Sequence, residues 1–203
     1  MEFWDLVQQR RSVHNFMPDF KVSNETWQKL LEYVRLTPSG YNAQPWRFQL
    51  IQNESVLQDL YPLCYQQEHI LQAGNLVVVI GDVQFGQHEA ERIVQEWEDY
   101  RNFTPEQAEA LRAALTKERA EWKQREMTIR NCSLSAMTLL YAAEDLGLAA
   151  CPMMGFRQLD LKRYLGLEDS EIPVLLIALG KPGEAEPLRL PRKTVANLNR
   201  TQD

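Results

Sequence analysis

Apolar residues fall at helical spacing at the start of the chain, where Phe3, Leu6 and Val7 predict a short amphipathic helix over Phe3–Arg10. A polar, basic turn follows. Ser23 is a suitable N-cap for a second helix with the stripe Trp27, Leu30, Leu31 and Val34, and Thr37-Pro38-Ser39-Gly40 ends it because a residue before proline leaves the helical region. Trp46, Phe48 and Leu50 alternate with Arg47 and Gln49, the period of a half-buried strand. Asn53 can cap a helix carrying Val56, Leu57, Leu60 and Leu63, and Leu76–Ile80 reads as a buried strand ending at Gly81.

A long polar stretch from Gly86 to Glu126 is predicted helical, with Thr104-Pro105-Glu106-Gln107 as a capping box and a narrow stripe at Ala108, Leu111, Leu115 and Trp122. The pattern broadens from Ile129 to Leu146 (Ile129, Cys132, Ala136, Leu139, Leu140, Ala143) and stops at Gly147, which predicts the central core helix. An extended piece at Leu148–Met153, a small helix ending near Gly166 and a strand at Val174–Leu179 complete the body. The tail from Lys181 to Asp203 has three prolines and little periodicity, so it either crosses another surface or is disordered. Helices and strands mix without a βαβ period, a repeat or a linker. The expectation is one α+β domain spanning 1–203, a small central mixed sheet covered by helices.

Composition narrows the partners. A chain of 203 residues with net charge −6 lacks the basic face a nucleic-acid binder needs to displace counterions, so no nucleic-acid partner is expected. Small molecules, or a second copy of the chain, fit an acidic soluble protein better. Cys64, Cys132 and Cys151 are odd in number and widely spaced, which suits reduced thiols in a cytoplasm. Cys132 lies on an apolar helical stripe and reads as structural. The opening MEFWDLVQQR has no apolar core of a signal peptide, and the longest apolar runs are too short to span a bilayer, so no membrane partner is expected.

Absences narrow the chemistry. The sequence has no GxGxxG or GxxxxGK[ST] loop, no GxSxG elbow and no HExxH, and His14, His69 and His88 stand apart. With neither a metal site nor an evident nucleophile, demanding chemistry would come from an organic cofactor.

Three segments carry more chemistry than structure requires. Arg10-Arg11-Ser12-Val13-His14 sets two guanidiniums and a hydroxyl side by side, suited to a phosphate; the plain alternative is a solvated helix end whose cations complement the dipole. Pro38-Ser39-Gly40-Tyr41-Asn42-Ala43-Gln44-Pro45-Trp46 presents a hydroxyl and two carboxamides between prolines, matching the alternating edge of a flavin or pyrimidine, or else is a helix-to-strand turn. Cys151-Pro152-Met153-Met154-Gly155-Phe156 offers a glycine where backbone can approach a ligand, or is a buried strand end.

Taken in order, these segments resemble the nitroreductase family. Its pattern is an RRSxR-like opening, PSxxNxQPW, GLxxxPxxGF after a long core helix, and an arginine in the C-terminal tail. Here these are Arg10-Arg11-Ser12, Pro38 to Trp46, Gly147 to Phe156, and Pro191-Arg192. The resemblance spans nearly the whole chain and implies an FMN-dependent oxidoreductase, an intertwined homodimer with a C-terminal extension and FMN at the subunit interface. It places Arg10, Arg11, Ser12 and Arg192 at the FMN phosphate and ribityl chain, with Arg189 and Lys193 as neighbours able to substitute for Arg192. Pro38, Ser39, Gly40, Asn42 and Gln44 would reach FMN from the other subunit. Pro152, Met153, Met154 and Gly155 would line the flavin, Met154 and Gly155 through backbone N–H groups near N5 and O4; many relatives carry an acidic residue where Met154 stands. Gln66 and His69 fall near ribityl-contact positions, but read as ordinary surface residues.

His14 stands where relatives often have arginine or lysine, near flavin N1 and O2. It would stabilise negative charge there only in part at neutral pH, implying a flavin potential that varies with pH. No side-chain acid or base is obligatory, and no metal is implied. The implied chemistry is ping-pong hydride transfer from NADH or NADPH to a small-molecule acceptor such as a nitroaromatic, a quinone or an activated alkene. Trp97, Tyr100, Phe103 and Trp122 would either roof the pocket or simply pack. The rival readings are a flavin-binding protein without turnover, a related flavin activity such as reductive dehalogenation or flavin breakdown, and a helical interaction protein built on the charged Thr104–Glu126 stretch.

Overall fold

The computed structural model describes residues 2–184 and 189–200. Its centre is a sheet of four strands, β1 (Trp46–Ile51), β2 (Leu76–Asp82), β3 (Ala149–Met153) and β4 (Glu171–Gly180), in the order β1-β2-β4-β3. All three pairings are antiparallel. The expected mixed sheet is therefore antiparallel, with one isolated parallel bridge, Ser12 to Ala150, on the outer side of β3.

β2 is apolar without alternation because both faces of the sheet are covered. Leu76, Val78 and Ile80 point to one side with Leu176, Ala178, Cys151 and Met153. There they meet α3 (Glu54–Leu60), α4 (His69–Ala73) and α9 (Gln158–Tyr164) through residues such as Leu57, Ile70 and Leu161. Val77 and Val79 point to the other side with Ile177 and Leu179, against α2 (Asn24–Val34) and α8 (Glu121–Asp145). At the edge, β1 keeps the expected alternation, with Trp46, Phe48 and Leu50 turned toward the second layer.

The local signals act where the residues put them. Ser23 Oγ accepts from Thr26 N, Asn53 Oδ1 accepts from Ser55 N and Val56 N, and the Thr104–Gln107 capping box opens α7 (Pro105–Thr116). Gly147, at φ +66°, follows α8 and takes the left-handed conformation that glycine adopts at low cost.

The stretch from Gly86 to Glu126 divides further than its periodicity predicts, into α5 (Phe85–His88), α6 (Ala90–Arg101), α7 and the first turn of α8. Ala108, Leu111 and Leu115 of the expected stripe are buried, but Trp122 belongs to α8 and is 67% exposed. The chain breaks at Lys117–Ala120 because the Arg119 guanidinium donates to the carbonyls of Ala114, Leu115 and Lys117, occupying acceptors at the end of α7. The core helix accordingly begins at Glu121 rather than Ile129.

α5, α6 and α7 form a third cluster around Phe85, Ile93 and Leu115, which Ala43 joins. Its tightest approach is at Gly86, where a Cβ would lie 2.4 Å from the Leu115 carbonyl oxygen. Gly86→Ala is expected to cost about 1–3 kcal/mol through this overpacking, read as a lowered thermal midpoint. The tail carries a short helix, α10 (Val195–Leu198), capped by Thr194, which its composition did not announce; the parts of the tail reading at 185–188 and 201–203 lie outside the described residues.

Candidate functional site

The segment after α1 (Phe3–Gln9) runs along the outer edge of β3, where Val13 N donates to Ala150 O (3.1 Å) and Val13 is buried. Extended backbone alternates its side chains, so with Val13 inward, Ser12 and His14 face out. Arg10 and Arg11 are half-buried.

Both chain ends meet here. Arg189 Nη2 donates to the carbonyls of Gln8 and Arg10 (2.6 Å each), pinning the tail to the end of α1. Arg192 donates to Leu190 O and lies close enough to Arg10 to act on it electrostatically. Burial lowers the Arg10 pKa, Tyr141 and Glu144 oppose this, and Arg189 and Arg192 add to it. Half-buried Glu144 on α8 is raised by burial, against the pull of Arg10, Arg11 and Arg189. Of the two candidate tail arginines, Arg189 is the one that docks, and Arg192 joins as a neighbour.

The Met153–Gly155 segment lies farther along the same edge. The Met153 side chain is buried and Met154 is 84% exposed. The Gly155 carbonyl accepts from Gln67 Nε2 (2.7 Å), which also donates to Cys64 O (2.8 Å), and a Cβ at Gly155 would lie 3.4 Å from that amide nitrogen. Tyr65 and Gln66, beside Gly155 and Gln67, both hold left-handed backbone (φ 53° and 56°), a conformation costly for non-glycine residues and common at ligand-binding loops.

His69, read as a surface residue, is half-buried at the start of α4 and stacks on His14, with centroids 5.0 Å apart and planes 18° apart. Fifty-five residues separate the two rings, and no local pattern joins them. Gln66 is exposed, as expected.

The Pro38–Trp46 loop lies at the other edge of the sheet, entering β1. Ser39 Oγ accepts from Gln44 N, Gly40 N donates to Asn131 Oδ1, Asn42 Nδ2 donates to Glu96 Oε2, and Arg92 donates to Ala43 O. These ties hold Tyr41, Asn42 and Gln44 in left-handed backbone (φ 58°, 58° and 48°), strain that free loop residues would shed. The loop and α6 enclose a cleft of about 630 Å³ lined by Ser39, Tyr41, Asn42, Trp97, Tyr100 and Arg101 among others. Of the four candidate pocket aromatics, Trp97 and Tyr100 line this cleft, and Phe103 packs edge-on against Trp97 (5.0 Å). Across four strands the sheet edges lie about 14 Å apart. One chain therefore brings Arg10, Arg11, Ser12, His14, Pro152, Met153, Met154, Gly155 and Arg192 to one edge and leaves Pro38, Ser39, Gly40, Asn42 and Gln44 at the other.

Burial pushes the thiols of Cys64 and Cys132 up to about 11 and about 12, and all three cysteines are buried, so these thiols are poor nucleophiles. Among the described residues no group of three His, Cys, Asp or Glu side chains could hold a metal, and no helix is long and apolar enough to cross a membrane.

Fold and site together define a three-layer α+β domain with a cluster of arginines at one sheet edge and a strained polar loop at the other. The pattern of the nitroreductase family matches residues 7–181, and the chain belongs to that family, a family of oxidoreductases. The chain is 29% identical over 187 residues to MhqN of Bacillus subtilis (strain 168), a provisionally named NAD(P)H nitroreductase, covering 89% of this chain and 88% of that one. The crystal structure of ydfN, a provisionally named nitroreductase from B. subtilis, superposes with a TM-score of 0.92 at 28% identity over 99% of both chains. A provisionally named nitroreductase from Exiguobacterium sibiricum, solved in complex with FMN, shares the fold with a TM-score of 0.86 at 24% identity, over 100% of this chain and 98% of that one.

Proposed function

We propose that the protein is an FMN-dependent NAD(P)H oxidoreductase whose complete site takes the arginine edge from one chain and the Pro38–Gln44 loop from a second copy. One observation carries the reading. Arg10, Arg11, Arg189 and Arg192, from the two ends of the chain, converge on one place, with half-buried Glu144 as the acidic partner acting on them. Like charges gathered in a partly desolvated place repel unless an anion joins them, and a phosphomonoester accepts paired N–H donors from guanidiniums. The donor set fits FMN: cations for the phosphate, the Ser12 hydroxyl for the ribityl chain, and the Met153–Gly155 backbone beside the ring. The FMN complex of the Exiguobacterium relative supports the same choice.

When bound, FMN supplies hydride chemistry at N5, taking from NADH or NADPH and giving to a nitroaromatic, quinone or related small acceptor in ping-pong order. The protein's part is positioning and electrostatics. The arginines would hold the phosphate, His14 would serve the N1 and O2 side of the ring, and the Trp97–Tyr100 cleft of a second copy would shape access.

Pairing of two chains has its own support. Leu134 (50% exposed), Met137 and Tyr141 share one face of α8, and the exposed Phe3 ring packs on Tyr141 at 5.9 Å. Tyr141 is also among the groups acting on Arg10, so this apolar face borders the anion site. An exposed apolar patch of this kind marks an association surface.

Purified protein should be yellow, and anaerobic NADH or NADPH should bleach its flavin band. A yellow protein that neither donor bleaches would be a flavin carrier, and a colourless one that takes up no added FMN would sink the proposal.

A further inference from the structure

We infer that His69 is a positioning residue that confines the His14–His69 pair to a single proton and places it on His14, the imidazole exposed beside the arginine site. This rests on the FMN reading, since it says which ring offers a cation to the flavin.

The geometry has three parts. The Val13–Ala150 hydrogen bond and the Ser12–Ala150 bridge fix the extended segment, so His14 is held against β3 rather than free on a loop. The two imidazoles lie nearly parallel with centroids 5.0 Å apart, close enough that two imidazolium charges would oppose each other. Finally, His69 Nε2 sits 2.7 Å from Sδ of the buried Met153. A thioether sulfur carries no proton and can only accept, so the contact is a hydrogen bond only when Nε2 carries hydrogen. The Nε2–H form of His69 satisfies it, so the contact fixes the tautomer, and the half-burial of His69 beside an exposed His14 decides which ring goes without the second proton.

Among the described residues, the charged groups next to the pair along these segments are Arg10 and Arg11 before His14, Glu68 just before α4, engaged by the Tyr61 hydroxyl, and Glu184 on the returning tail, whose carbonyl accepts from Asn15. Burial, and then the charge of His14, lower the pKa of His69, so the half-buried ring is the harder of the pair to charge beside a protonated neighbour. The signs follow. A histidine whose folded pKa lies below its unfolded value near 6.5 contributes stability that is present above that value and lost as pH falls through the folded pKa. His69 therefore resists protonation as pH falls, and an anion at the site favours the proton on the exposed ring, His14.

The chain has three histidines, so imidazole carbon and nitrogen NMR of the FMN-loaded protein gives three resolvable sets of signals, with His88, paired to Asp82, as internal reference. The expected result is that His14 takes the proton first and that His69 keeps its neutral Nε2–H signals as the pH falls further. His14→Phe should raise the His69 midpoint, because the like charge is gone while the burial stays. His69→Phe should leave His14 titrating, and Met153→Leu should remove the Nε2–H preference of His69. A role for His69 in packing alone would move none of these midpoints. A His69 midpoint that ignores loss of His14, or a His69 that protonates first, would overturn the inference. Flavin absorbance of the same samples separates the two claims. Coupled rings in protein that never binds FMN would refute the cofactor reading and uphold the pair, and independent rings in yellow protein would do the reverse.

Discussion

Arg10→Ala is expected to weaken FMN binding by roughly 30- to 150-fold, the loss of a charged hydrogen-bond donor worth about 2–3 kcal/mol. The tail docks through the carbonyl of Arg10, which accepts from Arg189, so removing the side chain leaves that anchor in place. The thermal midpoint of the FMN-free protein should therefore shift little while affinity falls. Relief of repulsion from Arg189 and Arg192 offsets part of the loss, which makes the size of the effect a direct report on whether an anion sits among the three. Arg10→Lys keeps charge but loses the planar fork and should cost about tenfold. FMN fluorescence quenching, titrated at several ionic strengths, measures both variants, and the wild type should show the steepest salt dependence. Unchanged affinity in Arg10→Ala would place the phosphate elsewhere.

If two chains pair as proposed, Leu134→Glu should leave the protein monomeric and strip FMN at the same time. Leu134 is half exposed on a face shared with Met137 and Tyr141, and a carboxylate buried in an apolar interface costs more than the contact it replaces. A weakening of self-association by about 100-fold or more is the expected scale for a central apolar anchor. Light scattering reads the mass and absorbance reads the flavin. Circular dichroism should be unchanged, because the side chain makes no part of the buried core. Monomers that keep tightly bound FMN would show that one chain builds the site alone, against the placement of the Pro38–Gln44 loop at the far edge of the sheet.

These two expectations rest on different kinds of information. Helix caps at Ser23, Asn53 and Thr104, the alternating β1 and the stop at Gly147 were legible because each is a local device, in which a side chain satisfies backbone groups a few residues away. The mixed character of the sheet was misjudged because strand direction depends on pairing between segments as distant as Ala149 and Gly180, which no short pattern encodes. Trp122 was assigned to the wrong helix because helical spacing continues across the break that Arg119 makes by capping α7 with its side chain. The arginine and loop motifs were visible as residue types at fixed spacing. Their assembly was not.

By itself, the sequence determined the α+β class, most of the element positions and the set of polar groups offered to a cofactor, since spacing and local hydrogen bonding act over a few residues. Tertiary structure alone decided that Arg189 rather than Arg192 pins the tail, that His14 and His69 share a stacked pair over Met153, and that the Pro38–Gln44 loop sits at the opposite edge of the sheet from the arginines. The physical reason is that contacts across 55 or 179 residues depend on how two covered sheet faces and two chain ends pack, and packing is a property of the whole chain.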